Sequence, residues 1–213
     1  MSARGVFITL EGGEGSGKST QLDLLARRLV AAELPVRVLR EPGGTVVGEM
    51  VRTVLLDPDH VGLDAIAELL LYEASRAQLV AEVIEPALLA GDIVLCDRFY
   101  DSTTAYQGFA RELPLDVVRR LNAIATGGLA PDRTLVLDVD PALGIARATT
   151  QGADRLEAES LAFHRRVRAG FLSIAAEEPR RVRVVDAGGD VDSVAREVAA
   201  ALADLEPLAG VLG

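Results

Sequence analysis

The chain has 213 residues, 49% of them hydrophobic and only 4% aromatic, enough for one compact domain with an aliphatic core. Its formal charge of −10 excludes the broad cationic surface that long nucleic acids require, but not a few arginines gathered around a small phosphorylated ligand. No apolar run reaches the ~18 residues of a membrane span, no secretory hydrophobic stretch opens the chain, and the lone Cys96 can make no internal disulfide. The expected setting is a reducing cytoplasm without membrane or nucleic-acid partners.

Taken in chain order, Val6-Phe7-Ile8-Thr9-Leu10 is a short β-prone run that leads into Gly12-Gly13-Glu14-Gly15-Ser16-Gly17-Lys18-Ser19-Thr20. Leu22, Leu25, Ala26 and Leu29 then recur at helical spacing until Pro35. Val36–Leu39 reads as a second strand, followed by the turn-rich Arg40-Glu41-Pro42-Gly43-Gly44-Thr45. One helix is expected over about 46–56 and a longer one from about 63 to 90, with Pro86 marking a kink or break. Ile93-Val94-Leu95-Cys96 is an unbroken apolar run capped by Asp97-Arg98, as a buried parallel strand delivering charge at its C-terminal end would be. Leu135–Val139 repeats that look and Val182–Asp186 adds a more polar fifth strand. Helical patterns fall at about 101–110, 114–126, 141–149, 158–177 and 190–205, and a frayed tail is expected after 206. Strands alternating with helices predict a single α/β domain over 1–213, with a five-stranded parallel sheet and helices on both faces.

The glycine-rich segment is the strongest chemical signal. Its G-x-x-x-x-G-K-[ST] pattern lies between a strand and a helix, where backbone N–H groups cradle phosphate, a lysine reaches the terminal phosphates and the Ser19 hydroxyl meets Mg²⁺. Lys18 is the chain's single lysine; the other basic side chains among the 22 are arginine. A compact ammonium therefore survives only at the position where a planar guanidinium would not fit. A merely glycine-rich turn is the competing reading. With no second lysine, the chain lacks both the Asn-Lys-x-Asp base reader of GTP switches and the extra signature lysine of partitioning ATPases, leaving ATP-using kinases of small molecules foremost. Asp97 and Arg98 sit where ligands meet open α/β sheets; a surface ion pair is the alternative for them. Tyr72 and Arg76, four apart on a predicted helix, share a face. His60 and His164 show no metal-ligand spacing, and the Arg165-Arg166/Arg168 group reads as a solvated helix face.

Four segments in order resemble bacterial thymidylate kinases: Glu11–Ser19, Arg40–Thr45, Asp97-Arg98-Phe99-Tyr100-Asp101-Ser102-Thr103-Thr104-Ala105-Tyr106-Gln107-Gly108, and Asp154-Arg155-Leu156-Glu157. The resemblance implies the P-loop kinase three-layer fold with a short lid at about 147–158, a homodimer, and transfer of the ATP γ-phosphoryl group to dTMP on the path to dTTP. It implies Mg²⁺ held by Ser19 and Asp97, ATP on Gly12 to Thr20, and an adenine site formed by Arg147 with Asp186 and Ala187. It places Arg40, Pro42 and Ser102 at the acceptor nucleotide, Arg98 on its phosphate and Glu14 on its sugar 3′-hydroxyl. Tyr72 would stack on thymine, Arg76 would bond its O4, Thr103 would meet the N3 edge, Tyr106 would lie beside C2′, and Gln107 would support the pocket. The loop positions Gly13, Glu14, Gly15 and Ser16 carry no basic side chain. Arg155 thus inherits the charge-neutralising role of a lid arginine, aided by Arg147. A kinase for another (deoxy)nucleotide or nucleoside, and a non-catalytic ATP-binding regulatory module, remain the alternatives.

Overall fold

A computed structural model of the chain describes residues 4–60, 62–148 and 155–212. Five parallel strands form one sheet in the order β2-β3-β1-β4-β5, with β1 at Phe7–Glu11, β2 at Val36–Arg40, β3 at Ile93–Asp97, β4 at Arg133–Asp138 and β5 at Val182–Asp186. The apolar runs occupy the middle: β1 is wholly buried, and β3 and β4 are buried up to their last residue. The more polar β2 and β5 form the edges, where one side of a strand still meets water. The pairings align Leu10 with Asp97, Asp97 with Arg40 and Asp138 with Asp186. With Glu11 ending β1, every strand delivers a charged residue to the same rim of the sheet.

Helices cover both faces. On one, Ile8, Leu10, Leu95, Leu135 and Leu137 pack with Leu22, Leu25 and Leu29 of α1 (Lys18–Ala31) and Val194, Val198 and Leu202 of α9 (Val191–Leu202). On the other, Phe7, Val94, Cys96 and Phe99 meet Leu79, Val80, Ile84 and Leu88, while Val136 and Tyr106 meet Phe163, Val167 and Phe171 of α8 (Leu161–Glu177). The remaining helices are α2 (Val46–Leu56), α3 (Ala65–Leu79), α4 (Glu85–Ala90), α5 (Tyr100–Thr103), α6 (Leu115–Thr126), α7 (Pro141–Ala148) and α10 (Ala209–Leu212). Asp64 caps α3 by accepting from the Ile66 and Ala67 amides. Among the described residues no helix is long and apolar enough to cross a membrane.

Two expectations change. The chain does not break at Pro86: a π-helical turn at Val80–Ile84 joins α3 to α4 directly, and the proline follows that wider turn at the start of α4. Nor is the tail frayed. Leu208 is fully buried and Leu212 nearly so, both in the core between α1 and α9, and Arg28 donates to the Val211 carbonyl at 2.7 Å. The i,i+4 leucines give the last turn an apolar face to dock.

Candidate active site

The loop between β1 and α1 is shaped by close backbone approaches. Gly12 has φ 140°, and a Cβ there would lie 2.5 Å from the Leu137 carbonyl oxygen. Gly15, at φ 62°, rests on α7: its missing Cβ would meet the Gly144 oxygen at 2.0 Å, and a Cβ on Gly144 would meet the Glu14 oxygen at 2.3 Å. The phosphate loop and α7 thus touch backbone to backbone, which only glycine on both sides allows. Sequence reading misses Gly144, because a glycine inside a helical pattern does not name its partner.

Lys18 opens α1 and is almost enclosed, its Nζ donating to the Gly13 oxygen at 2.9 Å and the Gly12 oxygen at 3.3 Å. Burial, with the neighbouring Arg98 charge, lowers its pKa, while Glu14, Asp97 and Glu11 counter this. Ser19 Oγ donates to Asp97 Oδ2 at 2.7 Å, so the expected metal pair is brought together. Among the described residues no group of three His, Cys, Asp or Glu side chains could hold a metal. A hydroxyl beside a carboxylate nevertheless fits Mg²⁺, a hard cation that commonly takes one or two protein oxygens and draws the rest from phosphate and water.

Arg98 follows β3 with a left-handed φ of 71°, a conformation that costs a non-glycine residue about 1–2 kcal/mol. Its NH1 donates to the Gly12 oxygen at 3.0 Å and Ser102 Oγ at 3.1 Å, and its NH2 to Glu14 Oε1 at 2.8 Å. The same Glu14 oxygen accepts from the Tyr106 hydroxyl at 2.7 Å. The carboxylate that looks misplaced in an anion cradle is therefore the counter-charge of Arg98. Burial alone would raise the Glu14 pKa, but Arg98, Lys18 and Tyr106 outweigh it and bring it to about 2.

A cleft of about 400 Å³ runs past these groups, lined also by Thr20, Arg40, Pro42, Tyr72, Arg76, Thr103 and Gln107. Arg40 is held by Glu49 at 3.1 Å. Arg52, which the sequence did not flag, lines the cleft and donates to the Pro42 oxygen at 2.8 Å. Arg76 is buried with all its donors engaged. Nε and NH2 go to Glu41 at 2.9 and 2.7 Å, NH2 also to Thr103 at 2.9 Å, and NH1 to Glu73 at 2.8 Å and Asn122 at 3.4 Å. A bond from Arg76 to thymine O4 must replace one of these. Arg147 reaches the Ala187 oxygen at 2.9 Å and the Gly188 oxygen at 3.2 Å, joining α7 to the turn after Asp186.

Arg155 is placed differently from expectation. Its NH2 lies 2.6 Å from Glu68 Oε2 and its Nε donates to the Leu55 oxygen at 2.9 Å; it is not among the residues lining the cleft. Glu68 is fully buried and draws three partners: Gln107 at 2.7 Å, Arg111 at 3.3 Å and Arg155. A carboxylate in that position requires cations, and Arg155 is within reach. Thr149 to Asp154, the rest of the expected lid arginine segment, lie outside the described residues. Arg165 and Arg166 of α8 are exposed, as a solvated face requires, although Arg166 also donates to the Ala110 oxygen and Arg168 grips Asp138 at 2.7 and 2.8 Å. His164 is buried at 4% exposure.

The chain's likeness to known proteins follows the same geometry. The sequence profile of the thymidylate kinase family matches residues 10–198. The chain belongs to the thymidylate kinase family. It is 54% identical to the thymidylate kinase of Deinococcus radiodurans, over 95% of this chain and 98% of that one. With the thymidylate kinase of Solidesulfovibrio magneticus it shares 51% identity over 91% and 96% of the two chains. The crystal structure of thymidylate kinase from Ehrlichia chaffeensis superposes with a TM-score of 0.76 at 37% identity, covering 93% and 98% of the two chains. Membership in this family makes the protein an ATP-dependent nucleoside monophosphate kinase with the α/β fold described above.

Two expected outcomes follow from the site. Arg155→Ala should lower stability by about 1–3 kcal/mol, the worth of a buried charge-assisted hydrogen bond, read from urea unfolding. Unchanged stability with a kcat loss of about 10³, the signature of a transition-state arginine, would instead put the guanidinium on the phosphates. Secondly, burial and the Asp101 charge raise Glu11 to about 8, and burial raises Glu41 to about 7. The native state keeps these protons where the unfolded chain has lost them. The stability they contribute is complete below about pH 4.5 and is lost as pH rises through 7 and 8. Glu14 is ionised in both states across that range and adds no opposing slope. Urea midpoints should therefore be lower at pH 8.5 than at pH 5.5; a flat or rising trend would contradict the assignment.

Proposed function

We propose that the cleft carries out the reaction after which its family is named, transfer of the γ-phosphoryl group of ATP to dTMP, giving dTDP and ADP. The observation that carries this reading is the joining of the donor loop to the acceptor side through Arg98, which bonds the Gly12 carbonyl, Ser102 and Glu14 at the edge of one cleft. Phosphoryl transfer asks for alignment and charge stabilisation rather than covalent chemistry. Lys18 and the loop amides hold the donor phosphates, and Thr20 and the Arg147–Ala187 contact border the nucleotide. Arg98 takes the acceptor phosphate by its planar fork. Glu14 and Tyr106 orient its sugar, with Tyr106 beside C2′, and Tyr72, Thr103 and Gln107 enclose the base. Arg40 and Pro42 close that side of the cleft. Ser19 and Asp97 would hold Mg²⁺, which when bound neutralises charge developing on the phosphates. Arg155 supports the reaction from the Glu68 cluster.

The decisive experiment measures ADP release with dTMP, dUMP, dCMP, dGMP and thymidine as acceptors. dTMP should give the highest kcat/KM. A preference for another acceptor favours a kinase of different specificity, and ADP release independent of acceptor favours a regulatory ATPase.

The protein acts as a cytoplasmic homodimer in this reading. Support comes from apolar side chains exposed on three packed helices: Val46, Met50 and Val54 of α2, Ile66 and Leu70 of α3, and Val117 and Ile124 of α6. Side chains of this size gathered on adjoining helices mark an association face. Light scattering should give twice the 22.5 kDa chain mass, and Met50→Asp with Leu70→Asp should give one chain mass. A monomeric wild type would refute the dimer.

A further inference from the structure

Three non-glycine residues among those described have positive φ: Glu33, Arg98 and Glu112. Glu33 and Glu112 are exposed residues outside the helices and strands; Arg98 lines the cleft. A strained backbone at a functional position persists only where its surroundings over-determine it. Three groups do so here. The Arg98 amide donates to the Leu10 oxygen at 3.0 Å, the Cys96 thiol donates to the Arg98 oxygen at 3.1 Å, and the amide of the next residue, Phe99, donates to Glu11 Oε1 at 2.7 Å. The second oxygen of Glu11 accepts from Ser102 Oγ at 2.5 Å, and that hydroxyl oxygen in turn accepts from Arg98 NH1. One fully buried carboxyl group therefore holds the backbone behind Arg98 and, through Ser102, its guanidinium. Glu11 does not line the cleft, so it touches neither nucleotide.

We propose that Glu11, the last residue of β1, is a positioning residue that sets Arg98 for the acceptor phosphate. The role rests on the reading of Arg98 given above. Glu11 is specific to the acceptor side, because both groups it bonds belong to the segment after β3 rather than to the phosphate loop. A carboxamide can still accept from the Phe99 amide and still meet Ser102, so Glu11→Gln should preserve most of the arrangement, whereas Glu11→Ala removes both contacts.

The test is a mutant cycle read by calorimetric dTMP affinity and by steady-state kinetics for dTMP and ATP. Glu11→Ala should weaken dTMP binding and raise its KM by about 10–100-fold, as misplacement of a binding group by about an ångström does. The ATP KM should move less than about two-fold, and Glu11→Gln should recover to within about three-fold of wild type. In an Arg98→Ala background, Glu11→Ala should add less than about two-fold, because the two residues act as one unit. An equal factor in both backgrounds, or a parallel rise in the ATP KM, would overturn the proposal in favour of a general structural role. Should Glu11→Ala fail to fold, Glu11→Asp decides, since it keeps the carboxyl group but draws it back from the Phe99 amide and the Ser102 hydroxyl: it must raise the dTMP KM and spare that of ATP, and an unchanged dTMP KM refutes the relay. Should the acceptor panel identify a monophosphate other than dTMP, the same cycle applies with that acceptor, since Glu11 acts on Arg98 whatever the base.

Discussion

A guanidinium cannot shed its proton inside a protein, so a partly buried Arg98 obliges the chain to surround it with oxygen. Most of the cleft follows from that requirement. The Gly12 carbonyl and the Glu14 carboxylate of the phosphate loop and the Ser102 hydroxyl from the segment after β3 converge on one side chain. Their convergence depends on the parallel pairing of β1 with β3, which sets Leu10 against Asp97 and brings the ends of both strands to the same rim. Glu14 can stand in an anion cradle because Arg98 is there, and Tyr106 is aimed by Glu14. Without the arginine, a carboxylate would face phosphate and a tyrosine would lose its acceptor.

The same logic recurs away from the phosphates. Arg76 is enclosed by Glu41 and Glu73, Glu68 is enclosed by Arg111 and Arg155, and Asp101 is held by Arg181 at 2.6 Å. Arg76–Glu41 ties α3 to the residue after β2, Arg181–Asp101 ties α5 to the residue before β5, and the Glu68 group ties α3 to the segments around Arg111 and Arg155. Breaking one side of a buried pair leaves a charge without compensation. The planar fork of arginine suits such multi-partner sites, and lysine would not satisfy several carboxylates in fixed directions.

Features governed by local chemistry were legible in the sequence. The glycine loop, the apolar central strands and the charged residue ending each strand are dictated by phosphate geometry and by burial on both faces of a parallel sheet. Tyr72, Thr103, Tyr106 and Gln107 were named through family likeness, and the fold does bring them to one cleft. Long-range pairing was not legible. A lid motif identifies Arg155 but not the buried Glu68 that competes for it, and periodicity shows α7 but not that Gly144 is pressed against the phosphate loop. The tail looked frayed because two leucines are too few to declare a face until α1 and α9 supply the groove between them. Glu11 was visible only as the first letter of a motif; its partners follow a different strand.

The solitary lysine has a practical consequence. Reagents that acylate or alkylate ε-amines ordinarily mark a protein surface at many places, but here a single side chain in the whole sequence carries such an amine. That amine is nearly enclosed, at 8% exposure, and its enclosure lowers its affinity for a proton, which favours the nucleophilic form. Apart from the chain's own amino terminus, any label carried on an amine therefore marks the phosphate loop. Composition alone has made the nucleotide site chemically addressable, with no engineered tag and no competing lysine.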